Sequence, residues 1–381
     1  MKTRYLFSST DGPVPVPEDF LQGPFLLSPT QEHPTLRLND YFDAIGRFLL
    51  EAPPSPILTA LGRKAGTPVL PGAIEEIRII SEKHGALYHV ARIEVIVQDE
   101  KVNFALLSAL PGRGADSLRH EREALRRLWA AFSFRYVPEV FASGEVPVGR
   151  GDPPLRLGMI LEEWFQDYHE WHFSFRKTGE PVLLLWDPDR GHRPLGKESM
   201  EKIFKQAAKI LTLYYDIETG SRILSWHHAA GDFVVREKNG AVDVKLTTVR
   251  DYDIPESFKG REETPPGIPL LFFFLELCLK MRIDRLEGTG ERHFAGREIL
   301  KPVLEGFFEA LEVKNGEGRF PLGEPADFRW LLRSFSKKEM GHLLDTLVEI
   351  LPPDDPEDLP LIRHHQEAHL EDLLQVIHST P

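Results

Sequence analysis

The stretch Ile223 to Asp253 constrains the fold of this chain more than any other. Two short β-like runs, Phe233 to Val235 and Val242 to Val249, flank the tetrapeptide Glu-Lys-Asn-Gly. Its Asn239-Gly240 pair suits the positive φ angles of a tight hairpin turn, since Gly adopts the left-handed region freely and Asn tolerates it. The chain is therefore expected to fold back on itself here. His227, His228 and Asp232 stand ahead of the first run, and Asp251 and Asp253 stand just past the second. Folding back makes neighbours of the two ends, so Asp232 and Asp251 are candidates for one site. Two carboxylates brought together repel unless a cation or a proton lies between them. A hard divalent ion such as Mg²⁺ would take an oxygen from each and keep its other positions for water or phosphate oxygens. In the plainer alternative Asp232 caps a turn, and Asp251 and Asp253 are surface acids.

Bulk properties narrow the setting. A chain of 381 residues has room for two lobes or domains of ordinary size. Acidic residues number 59 against 46 basic ones, a net charge of -13, so a nucleic-acid-binding face is not expected. A nucleotide's polyphosphate can still be held locally. The single cysteine, Cys278, excludes an intramolecular disulfide and a thiolate zinc site, and a reducing cytoplasm fits it best. Met1 to Pro17 lacks the long apolar run of a secretory signal. The longest apolar stretch, Pro269 to Leu279, is interrupted by Glu276 and is too short to cross a bilayer. The expected setting is cytoplasmic, with no membrane contact.

In chain order, residues 1 to about 35 are Pro-rich and weakly periodic, and they are expected to wrap the surface as an extended arm. Asn39 is placed to cap a helix from Asp40 to Glu51, and Ile57 to Leu61 adds a helical turn. From Ala73 the apolar period changes towards two. Ile74 to Ser81, Leu87 to Val97 and Val102 to Leu110 read as an antiparallel meander. A helix from Ser117 to Phe132 follows, with Leu118, Leu125 and Leu128 on one face and Glu121 on that same face. A buried carboxylate there calls for a partner. Tyr136 to Ser143 and Leu157 to Glu162 supply two more strands, and the aromatic, acidic run Glu162 to His172 reads as a connector. Lys197 to Glu218 is a core helix that leads into the Trp226-His227-His228 loop. Past the hairpin, helices are expected at Ile268 to Met281, Gly296 to Leu311, Asp327 to Phe335, Lys337 to Leu351 and Pro360 to Ile377.

This order resembles the protein-kinase-like fold, especially its aminoglycoside and choline phosphotransferase branch, over about residues 73 to 310. The resemblance implies a two-lobed α+β architecture. Residues 73–163 would form an antiparallel five-stranded N-lobe with one helix, and residues 164–381 a mostly helical C-lobe with a catalytic-loop hairpin. Residues 1–72 would be an N-terminal extension of arm and short helices. It also implies ATP and Mg²⁺ as cofactors. Ala230-Gly231-Asp232 before an apolar strand resembles the family's Pro-Gly-Asn segment, which puts Asp232 at the metal-binding Asn. Asp251, in Asp251-Tyr252-Asp253, resembles the acid on the metal's other face. Glu121 matches the helix Glu, and Gly85 stands at the Gly-rich loop over the nucleotide.

The departures from the family pattern are equally specific. His227 stands where the family has its catalytic Asp, five residues before Asp232, and an imidazole can accept a proton near neutral pH. The Gly-rich loop is reduced to Gly85. The third strand, Phe-Ala-Leu-Leu-Ser-Ala, lacks the family's lysine, which leaves Lys83 or Arg92 to serve Glu121. Two functions follow. One is an ATP- and Mg²⁺-dependent phosphotransferase acting on a small hydroxylated metabolite, with Asp232 and Asp251 on the metal and His227 or His228 at the acceptor. The other is a pseudokinase, a kinase-shaped binding or scaffold module with a protein partner and no phosphoryl transfer. His365 and His369 also have the helical spacing of two metal ligands, but no Glu follows the first as a zincin requires.

Overall fold

The computed structural model describes residues 1–9, 11–28, 31–84, 88–149, 151, 153–187, 191–227, 231–260, 264–288, 290–350 and 355–380. The chain is a mixed α+β protein with a β-rich N-terminal region and a helical C-terminal region. It divides into two compact units. The first comprises Met1–Ser133 with Pro138–Gln166, and the second Phe134–Val137 with Asp167–Pro381.

The first unit contains β1 (Lys2–Phe7), β2 (Val14–Pro15), α1 (Glu18–Leu21), β3 (Pro24–Ser28), β4 (Gln31–Arg37), α2 (Leu38–Glu51), α3 (Pro56–Ala65), β5 (Ile74–His84), β6 (His89–Val97), β7 (Glu100–Ala109), α4 (Arg113–Ala131), β8 (Val140–Val148) and β9 (Leu155–Glu163). The meander expected from residue 73 onward is present, with β7 and β9 side by side. The sheet, however, has seven strands in the order β2-β1-β5-β6-β7-β9-β8. The five-stranded expectation missed β1, which lies parallel to β5 with Tyr5 opposite Ile79, and the short β2. Only Leu6 of β1 is fully buried, so an edge strand with so little apolar alternation escapes a periodicity reading. Residues 1 to about 35, expected as a surface arm, therefore supply two strands to the sheet, and Phe25 and Leu36 are buried with the strands. The α2 helix also starts two residues earlier than Asn39 suggested, at Leu38. Arg37 is its N-cap residue, and its N–H donates to Asp40 Oδ2 at 2.9 Å.

Strand alternation sorts this unit's side chains onto two faces. Ile77, Ile79, Ile93, Val95, Phe104, Leu106, Met159 and Leu161 pack with Phe42, Ile45, Phe48 and Leu49 of α2 and Ile57 and Leu61 of α3. Each such apolar side chain stabilises the fold by about 1.5–3 kcal/mol when fully buried. The opposite parity holds Arg78, Arg92, Glu94, Ala105, Leu107, Ile160 and Glu162. There α4 covers β7 and β9, and Arg78 and Arg92 pair with Glu94 and Glu82 at 2.6 and 2.7 Å.

The second unit contains β10 (Glu170–Phe175), β11 (Pro181–Asp187), β12 (Gly191–Pro194), α5 (Lys197–Leu213), β13 (Arg222–Leu224), β14 (Phe233–Lys238), β15 (Ala241–Leu246), β16 (Asp251–Asp253), α6 (Gly267–Lys280), β17 (Ile283–Arg285), β18 (Arg292–Phe294), α7 (Leu300–Gly316), α8 (Pro325–Ser334), α9 (Lys337–Ile350) and α10 (Asp358–Ser379). The connector expected from Glu162 to His172 contains the division between the units, after Gln166, and its last residues, from Glu170, belong to β10 of a three-stranded sheet, β10-β11-β12. Its Trp171 and Phe173 are buried against Phe204 of α5, and tertiary packing of this kind is invisible in a short irregular run. Helix α6 is apolar nearly all round and is buried accordingly. Its Glu276 pairs with the buried Arg222 at 2.5 Å. Where α7 crosses α5, a side chain on Gly306 would strike the backbone of Lys205, so only glycine lets the two helices approach this closely. No described helix is long and apolar enough to cross a membrane.

Candidate functional site

The Asn239-Gly240 turn is a two-residue loop. Lys238 pairs with Ala241 across it and Phe233 with Leu246 at the far end, and φ is 54° at Asn239 and 77° at Gly240, the signs of a type I′ turn. Ahead of the hairpin, β13 pairs antiparallel with β16, with Leu224 opposite Asp251. The two ends of the stretch are neighbours, as the fold-back requires.

What they hold between them is an ion pair. Asp232 is 1% exposed. Arg250 Nη1 donates to its Oδ2 at 2.5 Å and Nη2 to its Oδ1 at 2.7 Å, and the backbone N–H of His227 donates to Oδ2 at 2.8 Å. The planar guanidinium meets the carboxylate edge to edge, the strongest geometry available to the pair. Arg250 Nη1 also donates to the carbonyl of Ser225 at 2.6 Å, which binds the loop and the hairpin exit together. Thr247 adds to this, its N–H donating to the Asp232 carbonyl at 2.6 Å and its hydroxyl to the Gly231 carbonyl at 2.9 Å. Gly231 has φ 75°, and a Cβ there would lie 2.7 Å from the Glu170 carboxylate.

Asp251 is exposed, and its carboxylate accepts the N–H of Tyr252 at 2.8 Å. Adjacent residues of an extended segment point to opposite sides, so a chain that turns Arg250 inward turns Asp251 outward. Asp253 accepts from Lys259 at 2.9 Å. The cation expected to be shared by Asp232 and Asp251 is thus replaced, at Asp232, by Arg250. A Mg²⁺ ion would have to displace or stand beside the Arg250 guanidinium, whose positive charge lies against both oxygens of Asp232. Among the described residues no group of three or more His, Cys, Asp or Glu is placed to hold a metal. The residues at Asp232 do not fit a resident divalent ion. His227 is half-buried and contributes its backbone to the Asp232 carboxylate; His228 lies outside the described residues.

Glu121 and Glu162 form a second locus, in the first unit. Glu121 on α4 is 1% exposed and Glu162 on β9 is 4% exposed. Glu162 stands opposite Ala105 of β7 on the face that α4 covers. Burial, then repulsion from Glu121 and from Glu163, pushes the Glu162 carboxyl well above the ordinary carboxylate range. Its Oε2 is buried and accepts no hydrogen bond. The basic partner expected for Glu121 is not Arg92, which pairs with Glu82, nor Lys101, which lies 3.5 Å from Glu94. The Lys83 side chain and Gly85 lie outside the described residues.

In the second unit, His369 is fully buried with its Nδ1 3.1 Å from Arg282 Nη1. Burial, then the Arg282 charge, lowers its pKa to about 3. His365 stacks on Phe294 at 4.7 Å. These histidines pack and do not converge on a metal.

Sequence reasoning missed two residues. Arg250 stands immediately before Asp251, and the parity of an extended strand would have set it on the Asp232 side. Glu162 shares its parity with Ile160 and Gly158, which marks it as a residue of the α4 face.

No family model matches the chain, and no curated protein matches it. Among solved structures, the chain is similar to the crystal structure of Rad53 1–466 in complex with AMP-PNP, at 12% identity and a TM-score of 0.33. That alignment covers 66% of this chain and 60% of the Rad53 chain, less than two thirds of the latter.

Proposed function

We propose that the chain is a kinase-shaped binding or scaffold module, a pseudokinase that does not transfer phosphate. The element order supports the kinase-like part of this reading. An antiparallel meander is followed by a helix and two more strands, and a long helix then leads into a polar loop, a hairpin and an acid. One observation carries the functional part: both oxygens of Asp232, the residue matched to the family's metal ligand, are bound by Arg250. A guanidinium in that position neutralises the carboxylate that would otherwise recruit Mg²⁺, and phosphoryl transfer relies on that metal charge. The centre of β7, Phe104 to Ala109, carries no lysine, which acts in the same direction because the family's strand lysine holds the nucleotide's phosphates.

The test is thermal unfolding with millimolar ATP, with and without Mg²⁺ or Mn²⁺. The expected result is no change in Tm, since only a ligand that binds the native state raises it, by about 2.7 kcal/mol of apparent stability at a hundredfold excess over Kd. A metal-dependent rise in Tm that Asp232→Asn abolishes would overturn the proposal. It would favour the phosphotransferase reading, with His227 as the proton acceptor.

A further inference from the structure

In the second unit, α10 meets the β17–β18 hairpin through a cluster of imidazoles. His365 lies flat on the Phe294 ring, with centroids 4.7 Å and planes 2° apart, and His369 meets the same ring edge-on at 6.0 Å. Arg282, just past α6, occupies a third side, its guanidinium 4.5 Å from the ring centroid. His364 sets its ring against His365 at 4.8 Å, and His293 of β18 packs on Phe175 at 5.2 Å. The acids facing the cluster are Asp372 of α10, which takes Arg282 Nη2 at 3.1 Å, and Glu298, ahead of α7, whose charge acts on Arg282 and His293. Asp284, opposite His293 in the ladder, accepts the backbone N–H groups of Phe173 and Arg285. Burial keeps the nearby Cys278 thiol of α6 protonated. At the start of α10, Asp358 pairs with Arg292 at 2.6 Å, and on α9 Asp345 and Lys337 bond Gln366 and Glu371.

The hydrogen bond at His369 fixes its protonation. Arg282 Nη1 lies 3.1 Å from His369 Nδ1, and a guanidinium has donors only. Nδ1 is therefore the unprotonated nitrogen, and the ring's one proton sits on Nε2. A second proton has to enter at Nδ1, where it breaks that bond and brings two cations together in a fully buried place. Nε2 is buried too and finds no acceptor to spread the charge. His365 resists charging for the same kind of reason: burial, then the charges of His364 and Arg282, lowers its pKa. The helix that carries these rings is lightly anchored. Four apolar side chains of its 22 residues, Ile362, Leu370, Leu373 and Ile377, are buried, against nine buried side chains in the 14 residues of α6. Elements that bury few apolar groups open at the low end of the free-energy range within a fold.

We infer that α10 is a proton-operated latch: in mild acid the imidazoles of His365 and His369 take up protons in the opened state, and the helix lifts from Phe294 and Arg282 while the rest of the unit stays folded. An imidazole held neutral when closed and free to charge when open favours opening as pH falls below its ordinary value of about 6.5. His369, whose pKa in the closed state is about 3, by itself raises the opening constant about thirtyfold between pH 7.5 and pH 5. His365 acts in the same direction. The inference rests neither on the state of Asp232 nor on the proposed function.

The experiment is amide hydrogen exchange of the full chain, read peptide by peptide from pH 7.5 to pH 5 and corrected for the intrinsic pH dependence of exchange. The opening constant of α10 is expected to rise about thirtyfold or more over that range, and those of α6 and α7 to rise far less. His369→Asn keeps an acceptor near the position of Nδ1 and cannot charge, so it should cut the rise in α10 about tenfold or more. His365→Gln, at a half-buried position, should cut it by a smaller factor, and it decides the matter if His369→Asn does not fold. His342→Asn, on the exposed side of α9, should leave the rise unchanged. No rise in the parent chain, a rise shared equally by α6 and α7, or a rise of parental size in both His369→Asn and His365→Gln would each overturn the inference.

Discussion

Glu162→Gln is expected to stabilise the chain at neutral pH, and the size of the effect follows from where the proton sits. In the folded chain the carboxyl is buried beside Glu121, with Glu163 next in line, and its pKa lies well above the ordinary 4.5. In the unfolded chain it returns to that ordinary value. Between the two the folded chain binds more protons than the unfolded one, so stability falls as pH rises. The slope is about 1.4 kcal/mol per pH unit for one proton. The loss accumulates until the pH passes the raised pKa of the folded carboxyl. A glutamine of the same shape has no proton to lose, and its amide can donate where the carboxylate could only repel. Urea unfolding of both proteins at half-unit intervals from pH 5 to pH 8 measures this. The difference in stability between variant and parent should widen with pH until the folded carboxyl ionises, and then level off. All other titrating groups are common to the two proteins and cancel. A constant difference over the whole range would refute the reasoning, because it would mean that Glu162 titrates alike in both states.

Two further substitutions test the Asp232 locus. Arg250→Met should destabilise the chain by about 3 kcal/mol, the lower end for breaking a buried pair because the arginine side chain is 31% exposed. Adding Asp232→Asn should recover much of that loss; urea unfolding of the single and double variants gives the coupling, and additive losses would show that the pair does not interact. Gly231→Ala should cost about 2 kcal/mol, because its φ of 75° and the nearby Glu170 carboxylate leave no place for a methyl group. An unchanged urea midpoint would contradict that.

The hairpin was the most legible part of the chain, since Asn239-Gly240 carries its own backbone preference and needs no tertiary information. The meander from Ile74 to Leu110 was legible for a similar reason: alternation along each strand reports burial on one face. By contrast β1 has a single buried residue, and β10 draws its partners from α5 and β11, so neither strand announces itself locally. The proximity of residues before and after the hairpin was readable from topology. The identity of the group filling the gap was not, because Arg250 and Asp251 are adjacent in sequence and only their side-chain directions decide which one meets Asp232. Glu121 was expected to have a basic partner because buried carboxylates usually do. The structure also sets Glu162 close to it, and burial with that repulsion raises the Glu162 pKa.

The Asp232–Arg250 pair also sets what this loop can respond to. A carboxylate balanced by a dissolved ion is ordered in proportion to that ion's concentration, so its neighbourhood reports on cellular conditions. A carboxylate balanced by an arginine of its own chain has a counterion of fixed effective concentration, set by a separation of eighteen positions in the sequence. The loop from Ser225 to His227 and the exit of the hairpin are thereby held in one arrangement at any level of magnesium or nucleotide. The same substitution of a tethered charge for a free one exchanges responsiveness for permanence, which suits a surface that must keep its shape whether or not anything is bound elsewhere on the molecule.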